Sequence, residues 1–101
     1  MANFILTFRL KQNSTYQSRY ESFVKKVKEI APKWIWEETS SFYAFETDGS
    51  ADSVCHDLYY GTSFDGDTDL MVILDVGARK FATRGRIENL SQLKVALGIY
   101  S

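Results

Sequence analysis

The sequence predicts an α+β domain whose elements follow in the order β-α-β-β-α-β, with a short fifth strand and a C-terminal helix appended. Three observations point there. Residues 4–10 alternate with period two, residues 16–30 place apolar side chains at helical spacing, and the same two patterns recur further along, separated by Pro32, Gly49, Gly61 and Gly77.

In the first strand Phe4, Leu6, Phe8 and Leu10 share one side and Ile5, Thr7 and Arg9 the other, so one side is wholly apolar. Asn13, Ser14 and Thr15 offer capping oxygens to a helix whose stripe is Tyr16, Tyr20, Phe23, Val24, Val27 and Ile30. Pro32 disfavours helical geometry at Ala31 and closes it. Lys33–Glu37 and Ser41–Thr47 are rich in aromatic and β-branched residues and flank the polar Glu38-Thr39-Ser40, which predicts a hairpin. Ser50 then caps a second helix with Ala51, Val54, Cys55, Leu58 and Tyr59 inward, ending near Gly61. After a polar loop to Asp69, residues 70–76 form an apolar run short enough for an internal strand. Gly77 turns the chain into a short strand, Lys80–Arg84. Asn89 with Gln92 reads as a capping box for a last helix through Leu90, Leu93, Val95 and Leu97, stopping at Gly98.

This order is that of the ferredoxin-like split βαβ arrangement, with residues 1–86 as the domain and 87–101 as its helical tail. Both main helices are expected on one face. The other face would carry Ile5, Thr7 and Arg9, with Met71 and Ile73 or their alternates. It is too apolar to remain wet, and a second copy is expected to cover it, giving a homodimer.

Composition limits the function classes. Cys55 is the only cysteine, so no internal disulfide forms and a reducing compartment is expected. The opening Met1-Ala2-Asn3-Phe4 lacks the basic start and long apolar stretch of a signal peptide, and no run of about 18 apolar residues spans a bilayer; a cytoplasmic location without membrane contact is the expectation. The net charge of -1 conceals three blocks: +5 over residues 1–33, -10 over 34–77 and +4 over 78–101. Such blocks neutralise one another, within the fold or between protomers, or present separate fields to a partner; internal neutralisation is the favoured reading.

Several motifs fail as catalytic or metal sites. Asp65-Gly66-Asp67-Thr68-Asp69 alternates carboxylates, but Leu70 and Val76 occupy the positions where a calcium loop needs Gly and Glu, so a solvated acidic loop is expected. His56 adjoins Cys55, yet neighbours on a helix point apart and form no nucleophile-base pair. No catalytic residue, metal ligand or cofactor is assigned. The candidate phosphate contacts are Arg9, the helix side of Lys25, Lys26 and Lys28, and the cluster Arg79, Lys80, Arg84 and Arg86, which would join into one basic surface if the last strand crossed to a partner. Trp34, Trp36, Tyr43 and Tyr59 offer faces to bases, or serve as core and dimer contacts.

Thr7-Phe8-Arg9-Leu10, Glu38-Thr39-Ser40-Ser41-Phe42, Asp48-Gly49-Ser50 and Asp69-Leu70-Met71-Val72-Ile73 resemble the corresponding segments of the small CRISPR adaptation nucleases and their VapD-like and SinR-like relatives, over roughly residues 3–85. The resemblance implies a homodimer packed through its sheets, a fifth strand reaching onto the partner, and nucleic acid as ligand. In the nuclease members an aspartate at the end of strand one meets its symmetry mate and holds a divalent metal. Here that position is Arg9, which cannot ligate the metal. Arg9 is expected either to pair with Asp69 or Asp67 or, with its mate, to grip a phosphate. The leading expectation is therefore a catalytically inactive nucleic-acid-binding or regulatory module. The alternatives are a metal-dependent endoribonuclease with a different active site, and a protein-binding module of a defence or mobile-element system that uses its acidic face.

Overall fold

The computed structural model of the chain describes residues 1–100. The elements are β1 (Ala2–Arg9), α1 (Tyr16–Ile30), β2 (Ile35–Trp36), β3 (Phe42–Thr47), α2 (Ala51–Tyr60), β4 (Leu70–Asp75), β5 (Lys80–Gly85) and α3 (Leu90–Leu97). They form a mixed α+β domain with one five-stranded antiparallel sheet, ordered β2-β3-β1-β4-β5, and three helices. β5 pairs with β4 of its own chain, joined by a tight turn, and forms the sheet edge. Within the chain, the fifth strand that the resemblance carries toward a partner completes its own sheet, the chain turning back between Asp75 and Lys80 with Arg79 at φ 54°.

Strand registers divide the side chains cleanly. Phe4, Leu6 and Phe8 stand beside Phe45 and Tyr43 on one flank and Ile73 and Met71 on the other. All are buried, and they merge with Phe23 and Val27 of α1 and Val54, Cys55 and Leu58 of α2 in one core, so both helices cover the same face. Met71 and Ile73 therefore do not reach the open face; their alternates Leu70, Val72 and Leu74 do, since pairing Leu6 with Ile73 fixes the parity of β4.

Helix ends follow the local chemistry with two exceptions. Ser50 and Ser53 close a reciprocal capping box at α2, and Gly98 takes the left-handed conformation (φ 70°) that stops α3. At α1, however, Asn13 does not cap the helix: its Oδ1 accepts from the Thr15 backbone, the Thr15 hydroxyl and Arg19. At α3, Asn89 makes no side-chain cap bond, and the predicted box with Gln92 is absent.

After α3 the chain returns to the β4–β5 turn, where the Gly98 carbonyl accepts from the Arg79 guanidinium at 3.2 Å. Ile99 is buried there, apart from the main core. No helix among the described residues is long and apolar enough to cross a membrane. The accessible surface is 6333 Å², above the roughly 5,800 Å² expected of a compact monomer of this mass.

Candidate functional site

The end of β1 meets the start of β4, Arg9 opposite Leu70, which brings the chain from Leu10 to Thr15 against the loop before β4. Asp69 lies at this junction with no exposure. Its carboxylate accepts from the Lys11 and Asp65 backbones, from the Thr68 hydroxyl and from Nη1 of Arg19 at 2.6 and 2.7 Å. Arg19 is itself buried, and its remaining donors reach the Lys11 carbonyl, Asn13 and Thr15. Every polar group of this pair is used, as a buried ion pair requires.

This corrects the expectation for Arg9. Although near in sequence register, Arg9 points to the open face and Asp69 to the helix face, so no ion pair forms between them. The loop is not wholly solvated either: Asp65 and Asp67 are exposed, whereas Asp69 is the inner anchor of the junction. Among the described residues no three His, Cys, Asp or Glu side chains gather closely enough to hold a metal ion.

The eight basic candidates fall into three places. Arg9 is exposed on the open face. Lys25, Lys26 and Lys28 lie on α1, where Lys28 pairs with Glu37 at 3.4 Å, toward the β2 edge. The Lys26 stem packs over Gly61 at the C-terminus of α2, an end with no basic residue of its own, where an ammonium complements the helix dipole. Arg79, Lys80, Arg84 and Arg86 line the opposite edge along β5. Within one chain Lys28 thus sits across the sheet from the β5 cluster, whereas Lys26 leans over the C-terminal end of α2, the helix packed on β4 and β5. Direct neutralisation between the charge blocks is limited to Arg19 with Asp69 and Lys28 with Glu37 among the described residues.

A polar cleft of about 740 Å³ opens beside the junction, lined by Thr15, Ser18 and Arg19 of the α1 end, Tyr59, the 63–67 loop and Arg84. Arg84 stacks its guanidinium over Tyr59, 4.8 Å from the ring centroid, with Tyr60 at 5.7 Å. Arg86 reaches the Asp67 carbonyl at 3.4 Å. Tyr59 is thus an aromatic wall of this cleft, whereas Tyr43 is in the core, and burial pushes its hydroxyl up to about 12.

Cys55 is also interior: burial pushes its thiol up to about 11, against the opposing pull of Arg84. His56 faces outward, 3.7 Å from Asp57 and against Tyr60. On the open face Trp34 and Trp36 remain exposed, and Trp36 meets Phe42 edge to face.

Comparison of the chain with protein-family models, with curated proteins and with solved structures gives no match.

Proposed function

We propose that the chain is a homodimeric, ferredoxin-like nucleic-acid-binding or regulatory module, a divergent relative of the CRISPR adaptation and VapD-like nucleases without their metal chemistry. The observation that carries this reading is charge availability: among the described residues, seven of the eight basic candidates have no carboxylate within 4 Å, Lys28 being the exception. Such cations bind phosphate without first breaking an internal pair.

The β2-β3-β1-β4 part of the sheet, with both helices on one face, supports the ferredoxin-like assignment; β5 extends it. The half-buried apolar row on the other face, together with two exposed tryptophans, supports pairing through that face. Arg9 in place of an acid, and Asp69 withdrawn into its pair with Arg19, argue against a hydrolytic metal at the β1 end. The β5 edge is the favoured phosphate surface, because Arg79, Lys80 and Arg86 are exposed along it and Arg84 stands over aromatic rings beside a cleft.

Fluorescence anisotropy with labelled single- and double-stranded RNA and DNA tests the reading. Affinity is expected to fall steeply between 50 and 200 mM salt, as counterion release dictates, and the Arg84→Ala/Arg86→Ala variant is expected to bind more weakly with a shallower salt slope. Absence of binding to all four probes at low salt overturns the nucleic-acid reading. Cleavage of any probe on addition of Mg²⁺ overturns the assignment as inactive.

A further inference from the structure

The open face is a nearly uncharged surface with one charge at each end. The registers set its side chains in rows across the sheet: Trp34, Glu46, Asn3 and Val76; then Trp36, Ala44, Ile5, Leu74 and Phe81; then Phe42, Thr7, Val72 and Thr83; and last Arg9 with Leu70 and Gly85. Among the residues that the paired strands turn to this face, Arg9 is the one cation and Glu46 the one anion. Neither has an ion-pair partner within its own chain among the described residues. They cannot meet each other there, since Arg9 lies six residue steps along β1 from the Asn3 and Glu46 row, about 20 Å.

Two copies that pack these faces with their strands aligned have two ways to do so around a twofold axis, which lies in the plane between the sheets and runs either along or across the strands. An axis along the strands sets the Arg9 row over its own image and brings two guanidiniums together. An axis across the strands reverses the rows and sets each Arg9 over the other copy's Asn3 and Glu46. The first arrangement buries like charges; the second pairs the only two charges on the face twice over, by symmetry. The small Ala44 leaves a trough of about 710 Å³ flanked by Trp34, Trp36 and Val76, with apolar walls to receive a facing side chain.

We propose that the face takes a second copy of this chain in the crossed register, with Arg9 of each copy paired to Glu46 of the other. This rests on the homodimer reading above and makes Arg9 a determinant of assembly. It also distinguishes the chain from an arrangement in which residue 9 meets its own mate.

The test is the dimer dissociation constant of the full chain by sedimentation equilibrium. Arg9→Glu and Glu46→Arg are each expected to weaken the dimer by about tenfold or more, and the double variant R9E/E46R to restore it, since the swap re-forms both pairs. Circular dichroism of each variant separates misfolding from dissociation. A dimer that Glu46→Arg leaves intact, or that the double variant does not rescue although it folds, overturns the crossed register while keeping the homodimer. A wild-type chain that stays monomeric overturns the homodimer reading itself.

Discussion

Arg19 and Asp69 form a salt bridge at 2.6 Å with both side chains withdrawn from water, and this pair, made between α1 and the end of the 61–69 loop, locks the N-terminal end of α1 to the start of β4. Removing one partner leaves the other charged and buried. Asp69→Asn is therefore expected to lower unfolding free energy by about 3–5 kcal/mol. Urea denaturation of D69N, R19M and the double variant checks this: a loss for the double variant well below the sum of the singles shows the coupling.

Gly85 is a second fixed point of the same junction. It has φ +94°, and a Cβ placed on it would strike the Asp69 carbonyl, the same carbonyl that accepts the Arg86 backbone N–H. Gly85→Ala is expected to cost at least about 2 kcal/mol from the backbone conformation alone. That corresponds to a drop of about 8–16 °C in Tm for a domain of this size, measured by thermal melting.

Alkaline pH should unfold the protein through two buried groups. Cys55 and Tyr43 are neutral when protonated, and burial raises the thiol from 9.0 to about 11 and the hydroxyl from 10.0 to about 12. Each therefore holds its proton more tightly folded than unfolded, so its contribution is complete below its ordinary value and disappears as pH rises through the raised one. The urea midpoint is expected to fall between pH 9 and 11 less steeply in Cys55→Ala than in the parent, and between pH 10 and 12 less steeply in Tyr43→Phe. Equal slopes in parent and variants would refute the assignment.

Both tryptophans of the chain lie on the open face, so intrinsic emission reports on whether that face is covered. Diluting the protein from about 100 µM to nanomolar concentrations brackets the midpoint of a micromolar dimer. The emission is expected to shift to the red as Trp34 and Trp36 return to water. An emission maximum independent of concentration across that range contradicts a dimer of micromolar strength.

Much of this architecture was legible because alternation and helical spacing are direct consequences of backbone geometry. Phe4, Leu6 and Phe8 declared their face, Ser50 its cap and Gly98 its stop. The strand order also placed the end of β1 near the start of β4 correctly, but proximity alone did not settle which side each residue faced. Arg9 shares parity with Ile5 and Thr7, which was enough to put it opposite the face where Asp69 lies. Arg19 was missed because a charged side chain reads as surface, although it lies four residues before Phe23 and eight before Val27, on the same buried stripe of α1. The separation of Lys28 from the β5 cluster, and the turn of Lys26 toward the end of α2, depended on which edge each helix and strand occupies, a tertiary property that charge blocks along the chain do not encode.

The central place of β1 carries a cost during synthesis. Phe4 finds its lateral neighbours only when Phe45 and then Asp75 have been made, and at about 5–20 residues per second the second of these follows several seconds after the first strand is complete. Through that interval the oily side of the first strand has no sheet to join, and refolding from denaturant belongs between the fast helical bundles and the slow all-β folds, as a mixed topology with its first strand in the middle of the sheet requires.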